Sequence, residues 1–193
     1  MKKYATNRIV WIDLETTGLD PDHGRILEIA IVVTDGDLHA LGTTTQVFAA
    51  HPDVLREERD RGGISQAVWS MHTDSGLLED VRRAWSAEAP MISDGKLADF
   101  IDQHDARGAP LGGNSPHFDR RWIRALMPQL HTALGYRNID VSTILQLLAS
   151  WDVDLPDRPS DHIPHRAMPD ITRSIDIARA FRSLVLKDLA AVK

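Results

Sequence analysis

Cysteine is absent from this chain. That excludes disulfides and thiolate metal sites, and it fits a reducing, cytoplasmic setting. Long hydrophobic runs are absent as well. No apolar stretch approaches the ~18 residues that a membrane-spanning helix needs. The opening residues, Met1 to Arg8, carry basic side chains but no apolar segment before the first strand, so they do not read as a signal peptide. Positive charge is in short supply: 22 Lys and Arg face 28 Asp and Glu, for a formal net charge of −6. A protein that tracks along duplex DNA or long RNA draws much of its affinity from neutralising phosphates. This composition argues against a long electrostatic groove and is easier to reconcile with a short substrate gripped at its ends. Repeats, low-complexity segments and an H-x-x-x-H zinc pattern are missing too. What remains is 193 residues with 42% hydrophobic content. That suits one domain over residues 1–193, with a core that needs no staples.

The apolar residues are arranged in an interpretable order. Residues 8–13 form a continuous apolar run, Ile9-Val10-Trp11-Ile12, that reads as a buried strand. A turn-rich loop follows over 16–24. Residues 26–34 are apolar and β-branched, a second strand, and Asp35-Gly36-Asp37 signals a hairpin into a third over 38–50. The start is therefore an antiparallel meander. Residues 51–66 are polar and read as a surface loop or short helix. Helical patterns follow at 76–88 and 93–105, with a short strand at 109–113. Phe118, Trp122 and Leu126 recur every four residues, giving a helix ended or kinked by Pro128. Another short strand at 138–141, a helix at 142–151 and a stiff loop with three prolines at 155–164 precede the last helix, whose Ile171, Ile175, Ala178 and Phe181 share a face. Three strands followed by strands alternating with helices suit a mixed α/β sheet flanked by helices.

Chemistry is concentrated in four carboxylates and one histidine. Asp13 and Glu15 stand two apart at the end of the first strand, on one face and roughly 7 Å apart at a rise of about 3.3 Å per residue. Asp119 falls in the first turn of the Phe118 helix. It lies against the buried face, where an unpaired carboxylate is costly and a metal would relieve the cost. His165 and Asp170 are too far around a helix to share a face. His165 therefore belongs to the loop before the last helix and Asp170 to its first turn, with Pro169 tolerated there because first-turn N–H groups lack helical partners. Each residue has a plainer reading: a strand leaving the core, a helix cap, a solvated histidine. Together they make equipment for hydrolysing a phosphodiester, since four acids can hold two divalent cations and an imidazole can take a proton from water.

The order Asp13-Leu14-Glu15, Asn114-Ser115-Pro116-His117-Phe118-Asp119 and His165-Arg166-Ala167-Met168-Pro169-Asp170 resembles the DEDD superfamily of 3′–5′ exonucleases, in its histidine-bearing branch. The stretches 71–77 and 136–143 are similar to the oligoribonuclease branch of it. The resemblance runs from about Arg8 to about Ala180 and implies a ribonuclease-H-like fold. It also implies a 3′–5′ exoribonuclease that hydrolyses short single-stranded oligoribonucleotides, dinucleotides included, to 5′-mononucleotides with two Mg²⁺ or Mn²⁺ ions. In that pattern Asp13 bridges both ions, Glu15 and Asp170 complete one site, Asp119 serves the other partly through water, and His165 is the general base.

Further roles come from the resemblance alone. Leu19 would wedge between the terminal bases, and His72 would lie near the 3′ nucleotide. Ser115, Arg137 and Ser142 would cap the 5′ phosphate of a dinucleotide, a sensible set of one guanidinium fork and two hydroxyls. Tyr136 would reach across the interface of a homodimer. Thr16 makes the first motif Asp-Leu-Glu-Thr-Thr-Gly, which is more like proofreading and other DNA-directed exonucleases. Trp69 stands three residues before His72, where many oligoribonucleases have a tryptophan five before. Two alternatives stay open: a proofreading-type single-strand DNA exonuclease, and a non-catalytic nucleic-acid-binding protein on the same fold.

Overall fold

Strand periodicity sorts the opening residues onto two faces. In β1 (Arg8–Thr16), Val10, Ile12 and Leu14 enter one core and Trp11 enters another. The next strand, β2 (Ile26–Asp35), pairs antiparallel with it and divides the same way, with Ile29, Ile31 and Val33 on the first side and Ala30 and Val32 on the second. Both faces are covered, so the apolar residues run continuously instead of alternating with polar ones. β3 (Ala40–Val47) adds antiparallel beyond β2. The hairpin between them is held by the Asp35 carboxylate, which accepts the N–H groups of Asp37 and His39 at 2.9 Å each. On the other side of β1 lie β4 (Leu111–Gly113) and β5 (Asn138–Asp140), both parallel to it, giving the order β3-β2-β1-β4-β5. This computed structural model describes residues 7–155, 159 and 165–191, with side chains through 187.

Helices cover both faces. α1 (Pro52–Asp60), α2 (Gln66–Asp74) and α3 (Leu77–Ser86) form a satellite cluster around Leu27, Leu55, Leu77 and Val81. α4 (Asp94–Gln103), α5 (His117–Leu126) and α6 (Pro128–Ala133) pack Leu97, Ile101, Trp122, Ile123 and Leu130 onto the Val10 and Ile12 face. α7 (Val141–Ser150) and α8 (Ala167–Ala191) cover the Trp11 face with Val141, Leu148, Ile171 and Ile175. The parallel strands β1, β4 and β5 end on the same side of the sheet, and the chain turns there into the segments that carry the chemistry.

Several expectations shift by a few residues. β1 continues to Thr16, so Glu15 lies inside the strand and not just beyond it. Most of 51–66 is the helix α1, started by the His51 side chain accepting the Asp53 N–H. α2 was not expected as a helix, because its residues form no clean apolar stripe; Ser65 caps it by accepting the Val68 N–H at 3.2 Å. Pro128 ends the Phe118 helix and begins α6. Most of the 155–164 proline loop and Met1 to Thr6 lie outside the described residues.

Candidate active site

The first acids arrive through the pleat of β1. Trp11, Asp13 and Glu15 occupy alternate positions, so both carboxylates continue the face that Trp11 presents to α8. α8 packs its Ile171 and Ile175 onto that face and brings Asp170, in its first turn, above the strand. A carboxylate oxygen from each of Asp13, Glu15 and Asp170 then lies within 4.8 Å of the other two. These acids, with Asn114, His165, Arg173 and Ser174, line a cleft of about 330 Å³. His165 precedes α8, as the sequence spacing requires, and it is exposed.

Asp119 approaches from α5. It is buried, and its Oδ1 accepts the Leu14 N–H at 3.0 Å, which ties α5 to β1 between the two strand acids. It does not join the three-oxygen cluster, although its charge bears on Asp13. Burial is the main force on all four acids. It raises Asp13 well above the ordinary carboxylate range, with repulsion from Asp119, Asp170 and Glu15 adding to it. Burial and then Asp170 and Glu28 push Glu15 up to about 8. Burial lifts Asp119 to about 7, against the hydrogen bonds it accepts. It also lifts Asp170 to about 6, against the pull of His165. A site of hard oxygen donors that resists its own ionisation fits a divalent cation, whose charge reverses that preference.

The proposed substrate residues divide into groups. Leu19 and Tyr136 are 75% and 79% exposed. Arg137 lies with its guanidinium 4.4 Å from the centre of the Tyr136 ring. Ser115 and Ser142 come together at the ends of β4 and β5, their hydroxyls 3.3 Å apart. Arg137 stands at the opposite end of β5 from Ser142. His72 is buried; its Nε2 bonds the Thr16 carbonyl at 2.8 Å, and its Nδ1 has no hydrogen-bond partner and lies 3.7 Å from Glu15. Burial lowers its pKa, so the neutral Nε2–H form donates to Thr16.

Sequence reasoning missed Asp140. Its Oδ1 accepts the Ser115 N–H, the Ser142 N–H and the Ser142 hydroxyl at 2.9, 2.9 and 2.6 Å, so this one carboxylate sets both serines. The signal was available, since Asp followed by Val-Ser-Thr is a helix N-cap pattern. Glu28, an acid inside the apolar run of β2, was missed as well. A second cleft, of about 300 Å³ and lined by Leu55, Arg56, Trp69 and Arg82, holds none of these acids. Its Arg56 and Arg82 are paired with Asp53 and Glu79.

Residues 10–178 match the family model described as Exonuclease (RNase_T). The chain belongs to this exonuclease family. It is 35% identical over 183 residues to a protein named Oligoribonuclease from Chromobacterium violaceum, covering 94% of this chain and 97% of that one. It is 37% identical over 184 residues to the Oligoribonuclease of Bordetella pertussis, with the same coverage. Among solved structures, exonuclease I from Methylocaldum szegediense superposes with a TM-score of 0.60 at 20% identity, over 91% of this chain. An E. coli exonuclease I complex with single-stranded DNA, in its zinc-bound form, gives 0.57 at 15% identity, over 92% of this chain. The chain spans only 40% and 41% of those two exonuclease I chains, so they speak to the fold of the exonuclease region. The mixed five-stranded sheet flanked by helices is the ribonuclease-H-like arrangement that the motifs implied.

Proposed function

We propose that this exonuclease-family protein removes nucleotides from the 3′ end of short single-stranded oligoribonucleotides, down to dinucleotides, and releases 5′-mononucleotides. The observation that carries the reading is the convergence of Asp13, Glu15 and Asp170 with His165 on one cleft. The near-equal length of the relatives named Oligoribonuclease supports the choice of substrate. Asp13, Glu15 and Asp170 would hold one Mg²⁺ or Mn²⁺, and Asp13 with Asp119, the latter partly through water, would hold a second. When bound, two such ions stabilise the attacking and leaving oxygens of an in-line displacement. His165 receives the proton of the attacking water on an imidazole nitrogen, a task suited to histidine near neutral pH. Its exposure lets that proton pass on to solvent.

The remaining residues bind. Leu19, projecting from the loop after β1, wedges between the terminal bases. His72 lies beneath the 3′ nucleotide, beside Glu15. Ser115 and Ser142 meet the 5′ phosphate, Arg137 completes that cap by swinging toward them from the other end of β5, and Tyr136 is lent across a cytoplasmic homodimer. The exposed Trp151, at 62%, leaves apolar surface for such an interface. A second reading, a single-strand DNA exonuclease, draws on the Asp-Leu-Glu-Thr-Thr-Gly motif. A non-catalytic role on this fold has no missing acid to support it. Initial rates with Mn²⁺ on 5′-labelled RNA and DNA, from two to about twenty nucleotides long, separate these readings through the 2′-hydroxyl and through length. Fastest turnover on the shortest RNA is expected; DNA preferred at every length would favour the second reading. Arg137→Ala should slow 5′-phosphorylated dinucleotides more than longer chains, whereas equal losses at every length would leave a general exonuclease.

A further inference from the structure

Glu28 is an acid that this chemistry leaves unused. It is 4% exposed and sits directly across the β1–β2 ladder from Glu15. Residues paired in an antiparallel ladder share a face, so Glu28 stands on the side that α8 covers, beside the cation cluster. An unneutralised carboxylate there would be costly, and it would be a competing ligand for any cation held by Asp13, Glu15 and Asp170.

Both oxygens of Glu28 are instead committed elsewhere. Arg166 grips them with a two-pronged fork, Nη2 to Oε1 at 2.9 Å and Nε to Oε2 at 3.0 Å. The third arm of the guanidinium, Nη1, reaches Asp80 of α3 at 2.9 Å. Glu28 Oε2 also accepts the Ala167 N–H at 3.0 Å, a first-turn donor that α8 cannot satisfy internally. Arg166 stands between His165 and α8, and its own carbonyl accepts the Asp170 N–H at 3.2 Å. The segment carrying the general base and the third acid is thereby fastened to β2, next to the strand that carries the other two.

We infer that Arg166 and Glu28 act as a latch: they position His165 and Asp170 over β1 and hold Glu28 away from the cation cluster. This rests on the reading of the cleft as a metal-dependent catalytic centre. Neither residue is assigned contact with the substrate or the ions, so both are positioning residues.

Amide hydrogen exchange in the metal-free protein, paired with steady-state kinetics in Mn²⁺, tests the latch. The double substitution Glu28→Leu with Arg166→Met replaces a buried ion pair by apolar side chains, a change that proteins often tolerate. It leaves Ala167 without its acceptor. The Ala167 and Asp170 amides should exchange about tenfold faster in that variant, while the rest of the sheet keeps its protection. On a short oligoribonucleotide kcat should fall by about tenfold with KM nearly unchanged, as misplacement of the reacting groups requires. Arg166→Lys keeps the charge but loses the fork. It should move both readouts the same way, and it supplies the comparison if the double variant does not fold. Wild-type exchange at Ala167 and Asp170 overturns the latch, as does unchanged kcat in a variant whose exchange has risen. If the wild-type protein itself releases no nucleotide, the functional reading fails and the exchange data alone decide the latch.

Discussion

Each acid of the cleft is pulled toward its neutral form, which ties the site to the stability of the protein. The ionisation of Glu15, Asp119 and Asp170 is raised to about 8, about 7 and about 6. In an unfolded chain such groups ionise near pH 4. Between those limits the native state binds more protons than the unfolded state, so stability falls as pH rises. Thermal unfolding in EDTA should therefore show a midpoint that drops from about pH 5 to about pH 8, and a divalent cation should flatten the slope by replacing the lost protons. A metal-free midpoint that climbs over this range would contradict the raised ionisation. Asp13→Ala removes one of the repelling charges and should leave the fold intact while turnover is lost. His165→Ala should lower turnover by roughly 10²–10⁴, the range for a missing general base, with cation binding retained. Calorimetric titration with Mn²⁺ checks the second half of that statement.

At the scale of elements, the site depends on how tightly β4 lies against β1. A methyl at Gly112 would fall 2.6 Å from Cε3 of Trp11, a side chain fully buried and bonded through Nε1–H to Thr34. Gly112→Ala should cost about 1–3 kcal/mol in denaturant unfolding, because an overpacked core must shift strands or rotamers. An unchanged midpoint would show that β4 can move away without penalty. Most of these elements were legible from the sequence. The meander announced itself through Ile9 to Ile12, the β-branched run at 26–34 and the Asp35-Gly36-Asp37 turn, and helices α4, α5 and α8 through their apolar spacing. α2 was not legible, because its only fully buried side chain is His72 and no stripe marks the helix. The three strongest site residues could be paired by chain geometry: the pleat puts Asp13 beside Glu15, and helix spacing puts Asp170 in the first turn of α8. Glu28 was not legible because its partner Arg166 lies far along the chain, and sequence spacing carries no such information; for Asp140 the spacing shows the helix cap and the Ser142 contact but not the bond from Ser115.

For the whole molecule, the net charge of −6 and an acidic cleft are consistent with divalent cation binding, and they fit a short substrate better than a long one. Among the described residues no helix is long and apolar enough to cross a membrane. The proposed homodimer makes a distinct prediction through Tyr136, 79% exposed. A C2 pair would complete each cleft with the partner's ring. Mixing Asp13→Ala protein with Tyr136→Ala protein should then restore activity after subunit exchange, since one cleft in each mixed dimer keeps both features. Activity no greater than the sum of the two variants would place Tyr136 in its own subunit's cleft or outside it. The most direct test of the central claim is product analysis on a short 5′-labelled oligoribonucleotide with Mn²⁺, comparing wild type, Asp13→Ala and wild type in EDTA. The account predicts stepwise shortening from the 3′ end with release of 5′-mononucleotides by the wild type alone. Equal degradation by Asp13→Ala, or unchanged turnover in EDTA, would contradict it.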